Sequence, residues 1–244
     1  MLYITLMQIT KLNSANHNNK LRSVKSITTI IVHYTGMQSE RESLKRLLNP
    51  KSKVSCHYLI NRKGKIFKLV EELKVAWHAG KSRWKKNKNL NKNSIGIELV
   101  NKGHKYGYQN FTKEQITTLI KLCKKLKKKY KIKNKLILGH SDIAPLRKID
   151  PGEKFPWAFL SKKGVGIYPA KNKIIYNFKS IKKISKKQFI KNLHKIGYCY
   201  LSSDYKKKII MNFQRKFRQN KINGILDLET FKISEFLAKK SNIS

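Results

Sequence analysis

Acidic residues are scarce in this chain. Aspartate and glutamate together number 13, against 56 lysines and arginines, which gives a formal net charge of +43. A balance this basic is common in proteins that bind nucleic acid or another anionic surface. Lysine accounts for 48 of the 56 basic residues and arginine for 8. Arginine, the better residue for bidentate contacts with phosphates and bases, is therefore scarce too. We therefore expect compositional drift toward residues with A/T-rich codons and no dedicated nucleic-acid site. Nucleic-acid binding stays the alternative.

Cysteines and long apolar runs are also few. The three cysteines, Cys56, Cys123 and Cys199, form no CxxC pair and are odd in number, which argues against a disulfide framework. No stretch approaches the roughly 20 apolar residues of a membrane span, so we expect no transmembrane segment. The opening MLYITLMQIT lacks the basic start and the small-residue cleavage site of a signal peptide. This favours the cytoplasm, but export through a processed precursor stays open.

The apolar patterns predict strands and helices mixed in one core. The β-branched run SITTIIVHYT (26–35) and the run SIGIELV (94–100) are typical of buried strands. In FTKEQITTLIKLCKKLKKKY (111–130) the apolar residues recur near the 3.6-residue period of a helix, and Thr112 with Gln115 forms a capping box. We therefore expect an α/β fold with a mixed central sheet flanked by helices.

The pattern changes toward the C-terminus. Helical periodicity prevails after residue 186, following a lysine-rich connection. We divide the chain into an irregular N-terminal lead (1–22), an α/β domain (23–169), a linker (170–185) and a small all-α domain (186–244).

Two histidines and one aspartate stand where a metal site would need them. His33 and His140 lie at the ends of predicted strands, and Asp150 follows in a Pro/Gly turn. A strand end holds a ligand rigidly. Two imidazoles and one carboxylate suit zinc and would leave a fourth position for water, as in catalytic sites. No local HExxH-type spacing supports the set, so three ordinary polar side chains are the alternative.

Two further residues could assist catalysis at such a site. Glu98 is the one acidic residue embedded in an apolar strand pattern, and a buried charge is costly unless it is paired or functional. It is a candidate general base, and a strand with one wet face is the alternative. Lys148 lies two residues before Asp150, on the same side of an extended segment. Among 48 lysines, such proximity is also expected by chance.

Five motifs in order carry a family resemblance: IIVHYT, VSCHYLI, VAWHAG, SIGIELVN and GHSDIAPLRKIDPG. They resemble the zinc-dependent N-acetylmuramoyl-L-alanine amidases of the type-2 amidase family, whose fold is similar to that of peptidoglycan recognition proteins. The branch that acts on anhydro-muropeptides and peptidoglycan is the most similar. HKIGY, FQRKFR and INGILDLET resemble its helical peptidoglycan-binding domain. The resemblance covers roughly residues 24–240.

The resemblance implies an activity and assigns residues to it. The reaction is hydrolysis of the amide between N-acetylmuramic acid, including its 1,6-anhydro form, and L-alanine, with one Zn²⁺ per chain. The implied zinc ligands are His33, His140 and Asp150, the catalytic carboxylate is Glu98, and the lysine that stabilises the oxyanion is Lys148. The residues at motif positions expected to line the substrate are His57, Tyr58, Trp77, His78 and Arg147.

Other interpretations of the same residues stay open. A non-catalytic peptidoglycan-binding protein could share this fold, although it would be expected to lack a ligand or the catalytic acid. The helical domain would favour the bacterial cell envelope or periplasm if it binds wall, but it could also only pack against the α/β domain. We expect a monomer whose partner is peptidoglycan or a muropeptide. The preference between the two substrates is open.

Overall fold

The computed structural model describes residues 8–169, 184–199 and 206–241. Its strands are β1 (Ile9–Lys11), β2 (His17–Asn18), β3 (Thr29–Tyr34), β4 (Tyr58–Ile60), β5 (Ile66–Lys68), β6 (Val75–Ala76), β7 (Arg83–Trp84), β8 (Asn87–Lys88), β9 (Ser94–Leu99) and β10 (Ile137–Gly139). Its helices are α1 (Glu40–Leu48), α2 (Lys113–Tyr130), α3 (His140–Ile143), α4 (Trp157–Lys162), α5 (Lys186–Ile196), α6 (Lys206–Phe217) and α7 (Leu228–Ser241).

The described residues divide into two compact units. The first comprises 1–78 and 91–132, and the second 79–90 and 133–244. This division does not follow the predicted boundary near residue 170, because residues 133–169 cluster with the C-terminal helices. Most of the predicted linker lies outside the described residues.

The first unit is built on a mostly parallel sheet. Its strands are hydrogen-bonded in the order β1-β5-β4-β9-β3. All of these pairs are parallel except the hairpin of β4 and β5. Five of the six residues of β3 are buried, which is typical of a strand covered on both faces. The expected α/β fold with a mixed central sheet is confirmed.

The N-terminal lead is more regular than predicted. Residues 9–11 form β1 and pair in parallel with β5, while β2 pairs antiparallel with β6. Ser14 is buried and donates to the carbonyl of Leu47 at 2.6 Å. Asn16 donates to the carbonyls of Asn49 and Val54 at 2.8 and 3.0 Å. An edge strand depends on an available partner strand, which the local pattern of residues 1–22 does not reveal.

The main helix of the first unit starts and ends as its sequence predicts, with one change in side-chain bonding. The Thr112 hydroxyl caps α2 by accepting from the Gln115 amide N–H at 3.2 Å. The Gln115 side chain does not complete the predicted capping box. It donates to the carbonyls of Ile60 and Val100, both at 3.1 Å, and so ties the helix to the sheet.

The second unit contains the β7–β8 hairpin, β10 and the helices α3 to α7. β10 leads directly into α3, so that His140 is the first residue of a one-turn helix. Gly139 stands at this junction, where a Cβ atom would lie 2.7 Å from Cδ of Pro151. The close approach of the backbone to the Asp150–Pro151 turn therefore requires glycine at this position.

The described residues include all three cysteines and the helices that bear on the expectations drawn from composition. The cysteines Cys56, Cys123 and Cys199 are all free and buried, which confirms that no disulfide framework is present. None of the described helices has the length and apolar character needed to cross a membrane.

Candidate metal centre and active site

Three of the predicted site residues come together. His33, His140 and Asp150 are all buried, and the ligand atom that each offers lies within 4.8 Å of the other two. Nδ1 of His140 is 3.1 Å from Oδ2 of Asp150. Ligands about 2.0–2.1 Å from a tetrahedral zinc ion lie about 3.3 Å from one another, so this pair is already near the required spacing. Two imidazoles and one carboxylate therefore form a group that can hold a metal ion, and the donor types suit zinc.

The ring of His33 is oriented from behind by a second histidine. Nε2 of His33 lies 3.0 Å from Nδ1 of His78, whose Nε2 lies 3.2 Å from the Ser94 hydroxyl. His78 packs directly over Gly96, where a Cβ atom would overlap its ring. Partners of this kind fix the ring plane and tautomer of a ligating histidine. His78, expected to line the substrate, is buried at 6% exposure and supports His33 instead.

His140 is held by contacts within the second unit. Its Nε2 lies 3.1 Å from the carbonyl of Ala79 and 3.4 Å from Nη2 of Arg147. The Arg147 guanidinium also donates to the carbonyl of Lys81, from Nε at 3.0 Å and from Nη2 at 2.8 Å, and to that of Ala79. Arg147 is exposed, so it can brace residues 79–81 beside His140 and still meet a substrate. Its contact with substrate stays a prediction.

The sheet places Glu98 beside His33. β3 and β9 pair in parallel with His33 opposite Glu98, and residues opposite each other on neighbouring strands project from the same face. Glu98 is only partly buried, whereas Ile97 and Leu99 on either side of it are fully buried. Glu98 thus lies beside a candidate ligand, where a general base would be needed, and one of its carboxylate oxygens, Oε2, is buried.

Lys148 lies in the connection between α3 and Asp150. Its backbone N–H donates to the carbonyl of Ala144 at 3.0 Å, and its side chain is partly exposed. The connection begins with a turn over residues 145–147 and is not extended throughout. The position of Lys148 is compatible with the expected role, which stays a prediction.

His57 lies in the interior and not on a surface that a substrate could reach. The His57 ring is fully buried; its Nδ1 accepts from the Gly96 N–H at 3.0 Å, and its Nε2 lies 2.9 Å from Nη2 of Arg22. Burial, and secondarily the charge of Arg22, lowers the pKa of His57 to about 3. The ring is therefore neutral at physiological pH, and its contacts are structural.

Tyr58 is also buried. Its hydroxyl donates to the carboxylate of Glu72, and burial, followed by this hydrogen bond, raises the pKa of Tyr58. Burial alone would raise the pKa of Glu72, but donation from Lys129, Tyr130 and Tyr58 outweighs it and lowers that pKa. The motif positions His57 and Tyr58 thus belong to the core, and we do not retain them as substrate contacts.

Trp77 is half-buried and firmly held. Its indole N–H donates to Oδ1 of Asn18 at 2.7 Å, and its backbone N–H donates to the Ser55 hydroxyl at 2.8 Å. Because its backbone and its indole N–H are both held, Trp77 presents the rest of its ring surface at little cost in side-chain entropy. Trp77 remains a predicted substrate contact.

One buried carboxylate near His140 was not predicted from the sequence. Asp142 is 1% exposed and lies two residues after His140. Its carboxylate accepts from the Gly139 N–H at 2.8 Å, the Tyr198 hydroxyl at 2.6 Å and the Lys216 ammonium at 2.5 Å. The available signal was an aspartate inside the motif GHSDIAP, but its partners are remote in sequence.

Comparison with known proteins identifies the family. The sequence model described as N-acetylmuramoyl-L-alanine amidase matches residues 23–153, which include all three candidate ligands and Glu98. The chain belongs to the N-acetylmuramoyl-L-alanine amidase family.

Several amidases are similar to this one over most of its length. N-acetylmuramoyl-L-alanine amidase AmiD of Escherichia coli is 35% identical over 233 residues, which is 88% of this chain and 83% of that protein. Its structure, solved with anhydro-N-acetylmuramic acid-L-Ala-D-gamma-Glu-L-Lys, has a TM-score of 0.81 at 33% identity and covers 91% of this chain and 93% of its own.

Two further amidase-family matches differ in how much of the chain they cover. AmpDh3 of Pseudomonas aeruginosa, solved with anhydromuramic pentapeptide, has a TM-score of 0.82 at 30% identity and covers 91% of this chain and 95% of its own. The 1,6-anhydro-N-acetylmuramyl-L-alanine amidase AmpD of Haemophilus influenzae is 34% identical, over 58% of this chain and 84% of that protein.

Proposed function

We propose that this amidase is zinc-dependent and hydrolyses the bond between N-acetylmuramic acid and L-alanine in muropeptides. The observation that carries the proposal is the buried group of His33, His140 and Asp150, with Glu98 opposite His33 in the sheet. A member of the family that only bound peptidoglycan would have no need of a complete ligand set next to a partly buried carboxylate.

His33, His140 and Asp150 would hold the ion. A zinc ion in such a site supplies Lewis acidity, which lowers the pKa of water toward about 7 and polarises a carbonyl. The contacts of His33 with His78, and of His140 with Ala79, keep both imidazoles in place before substrate arrives.

Glu98 would move the proton. It accepts the proton of the attacking water while the water oxygen bonds to the lactyl carbonyl carbon. It then returns that proton to the nitrogen of L-alanine as the carbon–nitrogen bond breaks. Such proton transfer contributes about 10²–10⁴-fold to the rate. Lys148 would stabilise the negative charge that develops on the carbonyl oxygen.

The products are an N-acetylmuramic acid with a free lactyl carboxylate and a stem peptide that begins at L-alanine. We propose anhydro-muropeptides as the substrate class, because AmiD and AmpDh3 were solved with such compounds and each is similar to 91% of this chain. Trp77 and Arg147 are the proposed substrate contacts.

Mass spectrometry of digests tests the reaction directly. Purified protein is incubated with anhydro-muropeptide and, separately, with intact peptidoglycan, each with and without a chelator. We expect stem peptides beginning at L-alanine, and their loss with chelator. The relative yields show which substrate is preferred. If metal-loaded protein releases no peptide from either substrate, the chain is a binding protein on this fold.

A further inference from the structure

The connection from β10 to Asp150 contains two of the three proposed ligands and little regular structure of its own. β10 has three residues and α3 has four. A single helical turn is not stable by itself, because its few hydrogen bonds do not offset the loss of chain entropy. Within the segment, the Ser141 N–H donates to the carbonyl of Asp150 at 2.9 Å. Contacts from outside must add to this bond if so short a segment is to hold His140 and Asp150 at ligand spacing.

The Asp142 carboxylate connects the segment to the C-terminal helices. One contact is local, since Oδ2 accepts from the Gly139 N–H. The other two partners are distant in sequence: Tyr198 follows α5, and Lys216 lies in α6. A capping role at α3 needs only the local bond. The two remote donors therefore point to a function beyond capping.

The pair of Asp142 and Lys216 is almost completely desolvated. Their side chains are 1% and 4% exposed, and the ammonium lies 4.2 Å from the centroid of the Trp157 ring. Two charges removed from water this completely are tolerated only when they pair with good geometry. A shift of α6 relative to α3 would separate them at high cost, so the pair fixes their relative position.

A second residue on the same face of α6 reaches the other end of the segment. Asn212 stands one helical turn before Lys216, which places the two side chains on one face. Its amide donates to the carbonyl of Pro145 at 2.6 Å and to that of Lys148 at 3.2 Å. Its own oxygen accepts from Arg215 at 2.7 Å, which fixes the orientation of the amide.

We propose that Lys216, Tyr198 and Asn212 are positioning residues for the metal centre. They hold the segment that carries His140 and Asp150, and the C-terminal helices are thus part of the scaffold of the active site. The inference rests on the proposed function, since it concerns the affinity for zinc. It also gives these helices a task that does not depend on binding to the cell wall.

Two substitutions in α6 form a matched test. Lys216→Met removes the bond to Asp142. Gln214→Met removes a fully buried side-chain amide from the same helix. Among the described residues, the hydrogen bonds of that amide go to residues 223–230. Both should lower the melting temperature of the full chain. Zinc affinity is then measured by competition with a chromophoric chelator, at a temperature where circular dichroism shows both variants folded.

We expect Lys216→Met to weaken zinc binding roughly 10-fold, the lower end of the 10–100-fold range for partners that bond a ligand directly, because Lys216 acts through Asp142. Gln214→Met should leave zinc binding unchanged. Wild-type affinity in folded Lys216→Met would overturn the proposal, and so would equal weakening in both variants, which would mean general destabilisation.

If Lys216→Met does not fold, Tyr198→Phe tests the proposed positioning role in its place. It removes one hydroxyl and keeps the ring, whose centroid lies 4.9 Å from that of Trp84. Weaker zinc binding in this variant supports positioning, and unchanged binding overturns it.

Wild-type protein that binds zinc but releases no stem peptide would refute the proposed reaction and leave the positioning role standing. Wild-type protein that binds no zinc would refute both.

Discussion

His33 lies in a six-residue strand paired in register with β9, whereas His140 and Asp150 lie in a connection that contains three residues of strand and one turn of helix. The backbone ladder positions His33, and only its ring needs a side-chain partner, which is His78. The other two proposed ligands lie in a short segment that side-chain contacts support, among them those of Asp142 with Tyr198 and Lys216. The candidate metal centre thus combines one residue fixed by a sheet with two residues supported by a buried charged network.

Loss of a ligand should have the largest effect. Asp150→Ala removes one proposed ligand and also the partner of His140 Nδ1. We expect zinc affinity to fall by more than the roughly 100-fold that loss of a supporting partner can cause, and turnover to fall with it. Zinc content after dialysis against a mild chelator measures this, with Asp227→Ala in the second unit as the control. Full zinc content in Asp150→Ala would refute the ligand assignment.

Glu98→Gln should separate chemistry from metal binding. The amide keeps the shape of the carboxylate but cannot take up the proton. We expect turnover to fall about 10²–10⁴-fold while zinc content stays at the wild-type level. Stem-peptide release and metal analysis on the same preparation check both halves. Equal turnover in the variant and the wild type would exclude Glu98 as the general base.

Gly96→Ala tests the support of His33, as Lys216→Met tests that of His140. The new Cβ atom would overlap the His78 ring and displace it from His33. We expect a destabilisation of about 1–3 kcal/mol, as for overpacking in general, and weaker zinc binding.

The control for Gly96→Ala is Ile95→Val, on the opposite face of the same strand. It should cost about 0.5–1.5 kcal/mol and leave zinc affinity unchanged. Urea unfolding and chelator competition give the two quantities. Normal affinity in folded Gly96→Ala would show that His33 needs no such partner.

The smallest effect concerns acid stability. The folded-state pKa of His57 is about 3, below its ordinary value of 6.5, so the unfolded chain binds this proton more readily. Stability should therefore fall as pH drops from about 6.5 toward 3, by at most about 1.4 kcal/mol per pH unit from this group. Comparison of urea unfolding at pH 7 and pH 5 for wild type and His57→Gln isolates this contribution. The same pH dependence in both proteins would show that His57 does not contribute to it.

The parts of the fold that were predictable are those with a local cause. The buried run of β3 and the period of α2 identify these elements, because burial on two faces or on one stripe leaves a pattern in adjacent residues. His33, His140, Asp150 and Glu98 were found from residue type, strand position and motif order. The strand β1 was missed, since an edge strand is defined by its partner.

Motif positions did not distinguish substrate contacts from buried support. His57 and His78 belong to motifs that surround the predicted site, yet both rings are buried against structural partners. Lys216 was one lysine among 48 in the sequence, and the expectation for such a residue is a solvated side chain. Its desolvated bond to Asp142 depends on the packing of α6, which no local pattern reports.

The sequence by itself determined the class of fold, the family and the candidate residues for zinc binding and proton transfer, because these depend on periodicity and on the chemistry of individual side chains. Tertiary structure alone decided which side chains meet. It brought the three candidate ligands within 4.8 Å, set His78 behind His33, and joined Asp142 to Tyr198 and Lys216. Such contacts join residues far apart in the chain, and their geometry is set by the packing of whole elements.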